Sequence, residues 1–143
     1  MLPKSLLRPG PDAQGSRRPA RDIIDAVVEN MRKNLEPLKY STLAPSRFTV
    51  YLHPTEFARL EGIIPILQEQ TTRALADELV KLNRRPAMWQ RVGRWGSSVP
   101  EIRNAADWQV DFLADPDGDM NEGDLLVDSE LILPASPELG VGE

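Results

Sequence analysis

Leu43-Ala44-Pro45-Ser46-Arg47-Phe48-Thr49-Val50-Tyr51-Leu52 holds the pattern around which the rest of the chain organises. From Arg47 to His53 the residues alternate, with Phe48, Val50 and Leu52 on one side and Thr49, Tyr51 and His53 on the other. That is the two-residue period of a strand with one buried face. Pro54 ends it, because proline brings no N–H to a ladder. A strand that is apolar on one side needs something to cover that side, and the flanking sequence offers two helices.

Upstream, Ile23, Ile24, Val27, Val28, Met31 and Leu35 recur every three to four residues, which predicts a helix from about Asp22 to Leu35. Asp22 and Asp25 near its start and Arg32 and Lys33 near its end suit the helix dipole, and Pro37 is expected to stop it. Downstream, Pro54–Leu60 predicts a short helix carrying Phe57 and Leu60, broken at Gly62. Pro65 sits well in the first turn of a longer helix that runs to about Leu82, with Ile64, Leu67, Leu75, Leu79 and Leu82 inward. Two further strands are expected. Asp107–Ala114 alternates through Trp108, Val110 and Phe112, and Asp124–Leu133 through Leu125, Val127, Leu131 and Leu133. Asp115-Pro116-Asp117-Gly118-Asp119 between them has strong turn chemistry, so the pair reads as a hairpin with a long acidic loop.

The resulting order is helix, strand, short helix, long helix, strand, strand, with no internal repeat. It predicts an α+β fold in two layers: a mainly antiparallel sheet of about three strands, covered on one face by the two main helices. One domain fits the length of 143 residues. Residues 21–133 are expected to form it, behind a basic disordered arm at 1–20 and ahead of a Pro-containing linker start at 134–143.

Composition excludes more than it selects. There is no cysteine, so a disulfide scaffold, a thiolate metal site and a cysteine nucleophile are all ruled out. No run approaches the length of a membrane span, and residues 1–20 lack the apolar run of a secretory signal, which suits a cytoplasmic protein. The net charge of −5 is unevenly spread. Residues 1–103 hold all 17 basic and 11 acidic residues (+6), while residues 104–143 hold 11 acidic residues and no Lys or Arg (−11). Such asymmetry marks either an interaction tail or two regions that attract one another.

No catalytic residue, cofactor or metal site emerges. The single histidine, His53, has no partner set for a triad or a metal. A nucleophile elbow and a phosphate-binding loop are both missing. Asp115, Asp117 and Asp119 take the first, third and fifth places of a calcium loop. Met120 stands where that loop needs glycine, however, and Leu126 where it needs the bidentate glutamate. The segment Asn83–Ala106 has no clear period but joins Arg84, Arg85, Arg91 and Arg94 to Trp89 and Trp95, a combination able to hold phosphate or stack on bases. Gly93-Arg94-Trp95-Gly96 also matches the Gly-x-x-Gly loop of KH domains, without the flanking helices that loop requires. Three uses of these six side chains stand open: an edge of the core with arginines neutralising the acidic hairpin, a protein or phosphopeptide surface, and a nucleic-acid surface.

The stretch from Leu43 to Leu52, followed by Phe57 and Leu60, resembles the N-terminal domain of bacterial FhaA-type proteins, which carry a forkhead-associated (FHA) domain at their C-terminus. The similarity runs from about Ile23 to Leu133, and its specific part is the Leu-Ala-Pro strand with the Phe-x-x-Leu that follows. The resemblance implies a non-catalytic adaptor or scaffold in Ser/Thr-kinase signalling around cell-wall synthesis, with protein partners from that pathway. An FHA domain would follow residues 134–143. It also makes the chain a possible kinase substrate, at an exposed hydroxyl such as Thr71, Thr72 or Ser41. The competing expectation is a KH-like nucleic-acid-binding module that uses Arg84, Arg85, Arg91 and Arg94 with Trp89 and Trp95.

Overall fold

The computed structural model describes residues 19–84 and 101–132. The elements in chain order are α1 (Ala20–Lys33), β1 (Glu36–Pro37), β2 (Thr42–Ala44), β3 (Arg47–Leu52), α2 (Pro54–Leu60), a 3-10 turn (Glu61–Ile63), α3 (Ile64–Asn83), β4 (Ile102–Asn104), β5 (Gln109–Ala114) and β6 (Leu125–Glu130). They form two three-stranded sheets, ordered β1-β2-β4 and β5-β3-β6. The second carries the core. Phe48, Val50 and Leu52 of β3 are buried, beside Val110 and Phe112 of β5. Over them lie Ile23, Val27 and Met31 of α1 and Leu67 and Leu75 of α3. α1 packs along β6 and α3 along β5, with the two helices in contact. The α+β architecture is therefore the expected one: a three-stranded sheet under two main helices.

Strand pairing departs from expectation. β3 pairs parallel with β5 (Val50 opposite Phe112) and antiparallel with β6 (Val50 opposite Val127). The sheet is thus mixed, and the predicted hairpin of the last two strands does not form, because β3 lies between them. The reason is burial. β3 buries its whole inner face, whereas β6 leaves its inner-face residues only half-buried. The most apolar strand takes the centre, and residues 115–124 are long enough to pass across its end. Three further short strands, β1, β2 and β4, were not predicted.

The two sheets join at a corner. β2 pairs in parallel with β4 (Ala44 opposite Asn104), and pairing resumes with Arg47 opposite Gln109. Two more residues are therefore spent on the β4–β5 side than on the β2–β3 side, so the pair must bend, as at a bulge. Pro45 and Ser46 fill the bend and are buried. Ser46 N–H donates to the Glu130 carbonyl (3.2 Å), and the Ser46 carbonyl accepts from Gln109 N–H (2.8 Å). Pro45 has no N–H to leave unpaired in this buried position.

Side-chain amides finish the job of binding helices to strands. Asn30 of α1 donates to the Val127 carbonyl of β6 (3.2 Å), and Gln68 of α3 to the Val110 carbonyl of β5 (2.8 Å). Asn83 at the end of α3 donates to the Ile102 carbonyl and accepts from Ile102 N–H, both at 2.9 Å. In a parallel pair, the N–H and C=O of one residue point to the same side. Asn83 thus completes the outer edge of β4 in place of another strand.

α1 begins at Ala20, inside the span assigned to the arm, and ends at Lys33, four residues before Pro37. Asn34 stops it: its N–H donates to the Met31 carbonyl (3.2 Å) and its side chain to the Asn30 carbonyl (2.8 Å). Between the helices, Arg32 bonds Glu29 on its own helix and Glu78 on α3 (3.1 Å), and Lys81 adds a second cation at Glu78 (3.6 Å). Arg32 holds the Glu29 carboxyl below its ordinary value, by its hydrogen bond first and by its charge second. That contribution is present above the ordinary carboxylate pKa and is lost as pH falls through the lowered one. Glu29 is exposed to water, so the effect is small.

Helical phase can be tested directly. Leu75 is fully buried, and Val80, five residues on, is 51% exposed. Leu75→Ala is expected to cost about 2–5 kcal/mol and Val80→Ala less than about 0.5 kcal/mol, by urea denaturation. Equal costs would overturn the packing of α3.

Candidate interaction surface

The face of the β5-β3-β6 sheet turned away from the helices is built by the odd-numbered residues of β3. The observed registers set them in rows. Gln109, Arg47 and Glu130 form the first, Asp111, Thr49 and Asp128 the second, and Leu113, Tyr51 and Leu126 the third. In the first row Arg47 reaches Glu130 at 3.7 Å. In the second, two aspartates flank a threonine, and neither has a cation within 4 Å among the described residues. The third row is apolar but open to water, with Leu113 46% and Leu126 55% exposed. Beyond it lies the turn that carries Asp115, Asp117, Asp119, Glu122 and Asp124. An apolar band therefore runs across the sheet between an acidic row and an acidic turn.

The turn is organised from within. Asp115 accepts from Asp117 N–H (3.2 Å) and from Met120 N–H (2.9 Å), and Asp124 accepts from Asn121 N–H (3.0 Å). Gly118 (φ 69°) and Gly123 (φ 91°) supply the left-handed positions the turn needs. Both carboxylate oxygens of Asp115 are thus engaged with the backbone. Among the described residues, no three His, Asp or Glu side chains are grouped so that they could hold a metal. His53 also has a structural task. Its Nδ1 accepts from Thr55 N–H (3.1 Å), capping α2 at the position where a side-chain oxygen would usually serve.

Of the six arginine and tryptophan side chains singled out in the sequence, only Arg84 is among the described residues. It is exposed at the end of α3, with its N–H on the Lys81 carbonyl (3.1 Å). Arg85, Trp89, Arg91, Arg94 and Trp95 lie outside the described residues, as does Leu133. The Asn83–Ile102 bonds hold the two sides of that segment together. Arg84, the described one of these arginines, has no ion pair with the acidic turn among the described residues.

Thr71 corrects an expectation. It is fully buried, and its hydroxyl donates to the Leu67 carbonyl (2.6 Å), so it is not an exposed phosphorylation site. Thr72 is half-buried, with its hydroxyl on the Glu69 carbonyl (2.9 Å), and Ser41 is half-buried beside the β1–β2 turn. The three-row face was missed in the sequence. Alternation places Thr49, Tyr51, Asp111 and Leu113 outward, but only the register across β3 shows that they line up with Asp128 and Leu126.

The sequence matches no protein-family model and no curated protein. Among solved structures, Rv0020c_Nter is similar, with a TM-score of 0.58 over 78% of this chain and 70% of that one, at 13% identity. At that identity the likeness establishes a shared fold. No helix among the described residues is long and apolar enough to cross a membrane.

Asp111 and Asp128 stand on opposite sides of β3, two strand spacings apart at about 10 Å. At that separation their repulsion in water is about 0.4 kcal/mol, and salt screens it. Asp128→Asn is therefore expected to raise stability by several tenths of a kcal/mol at low salt, with the gain shrinking at high salt. Thermal denaturation at two salt concentrations checks this.

Proposed function

We propose that the chain is a non-catalytic adaptor or scaffold module, the N-terminal domain of an FhaA-type protein in bacterial Ser/Thr-kinase signalling. The observation that carries this reading is the shared fold with the N-terminal region of Rv0020c, itself FhaA-type. The Leu-Ala-Pro step that suggested the family in the sequence also leads into the buried corner, Ala44 to Ser46, at which the two sheets join. The open sheet face adds support, since an adaptor works through surface rather than through a cleft. On this reading the module is cytoplasmic, works by binding proteins of the kinase pathway, possesses no catalytic group and takes no cofactor. A link to cell-wall synthesis follows from the family resemblance alone.

A nucleic-acid role for Arg84, Arg85, Trp89, Arg91, Arg94 and Trp95 is the weaker reading. The whole chain is at −5, and the acidic row and turn repel a polyanion.

The full chain is expected to bind a bacterial Ser/Thr kinase of the pathway in calorimetry. If it is phosphorylated while folded, mass spectrometry is expected to find the group on Thr72 or Ser41 and not on Thr71. Single-stranded RNA and DNA are expected not to bind at physiological salt in fluorescence anisotropy. Micromolar nucleic-acid binding that weakens with salt, and is lost in Arg91→Ala/Arg94→Ala, would overturn the adaptor reading.

A further inference from the structure

Resting on the adaptor reading, we propose that the open face of the β5-β3-β6 sheet docks a basic, apolar segment of another protein. The apolar side chains of that segment lie on the Leu113–Tyr51–Leu126 row, and its Lys or Arg residues lie over Asp111 and Asp128. Three observations select this occupant. The apolar row is open to water: Leu113 and Leu126 flank Tyr51 across the strands and are still 46% and 55% exposed. The row beside it places two carboxylates, with no cation within 4 Å among the described residues, on a strand surface, where aspartate is a poor strand former. The turn beyond adds five more acidic side chains, at Asp115, Asp117, Asp119, Glu122 and Asp124.

The charge argues against two other occupants. A second copy stacked on this face would set acidic rows against acidic rows, which like-charge repulsion opposes. A nucleic acid or an anionic lipid surface is repelled for the same reason. A cationic segment gains Coulomb energy at both borders of the band, and a guanidinium can also sit over the Tyr51 ring. The face is three strands wide, about 10 Å between its outer strands, and about 20 Å long, so the interface belongs to the small, transient class.

The test uses the full chain and a short, capped, labelled peptide alternating lysine with valine, followed by anisotropy and by amide shifts in NMR. Control peptides alternate lysine with serine and glutamate with valine. The lysine–valine peptide is expected to bind with micromolar affinity that falls with salt, and to shift amides of β3, β5 and β6. Leu113→Ser/Leu126→Ser is expected to weaken it at least tenfold, and Asp111→Asn/Asp128→Asn to weaken it and flatten its salt dependence. Both variants change exposed or half-buried outer-face residues, and an unchanged circular dichroism spectrum confirms that each has folded. Equal binding of the lysine–serine peptide, shifts confined to residues 115–124, or indifference to both variants would overturn the proposal. So would dimerisation of the chain that the leucine variant abolishes, since the face would then belong to a second copy. If the peptide fails while the kinase-pathway partner still binds, the docking face is lost and the adaptor reading stands. A mapped peptide site with no such partner leaves the face in place and removes the pathway.

Discussion

Phe48, Val50 and Leu52 have to leave water together, and most of the architecture is the consequence. Their strand lies between two others and beneath two helices, which is the most burial that a strand with one apolar face can obtain. Pairing in parallel with β5 requires a long crossover, and α2 and α3 supply it, which is how α3 comes to lie along β5. Pairing antiparallel with β6 then sends residues 115–124 across the end of β3. The acidic turn therefore sits beside the Tyr51 row because of how the core is closed.

The same constraint explains where polar side chains appear inside the fold. Asn30, Gln68 and Asn83 each hold a strand carbonyl from a helix, two of them on the edge strands of the core sheet and the third on β4. Thr71 lies on the inner line of α3 between Leu67 and Leu75 and turns its hydroxyl back to its own helix, so its burial leaves no donor unpaired. Glu78, on the same line, is buried and is met from the exposed side by Arg32 and Lys81. Asn30, Gln68, Asn83 and Glu78 thus each tie one element to another, while Asn30 Oδ1, Ser46 Oγ and Arg47 Nε are buried without a hydrogen-bond partner among the described residues.

Against that economy, the outer face of the core sheet stands apart. Nothing in the packing asks for Asp111 and Asp128 on either side of Thr49, or for Leu113 and Leu126 in water. Charges that repel and leucines left half in water add nothing to stability, and proteins tolerate such features most readily where a surface has work to do. Arg47, which reaches Glu130, is the cation of the face. What distinguishes the surface is the adjacency of an apolar band and unmatched negative charge, more than either alone.

Local periodicity in the sequence was enough to determine α1, β3, α3, β5 and β6, and which side of each faces inward, except that β6 ends at Glu130 and leaves Leu131, expected inward, exposed. A face of Ile23, Val27 and Met31, or of Phe48, Val50 and Leu52, needs no knowledge of its partner to be recognised. β1, β2 and β4 were not legible, because two or three residues are too few to show a period. Thr71 was misread because its residue type argues for the surface, while its place four residues from Leu67 and Leu75 argues for the core. The order of the strands was decided only in three dimensions. β5 and β6 are adjacent in sequence, and a turn-rich link of ten residues between them reads as a hairpin. Which strands become neighbours depends on competition among distant segments for the most buried position, and β3 wins it. The rows of the open face follow from that outcome, since Asp111 and Asp128 meet across Thr49 only when β3 stands between their strands.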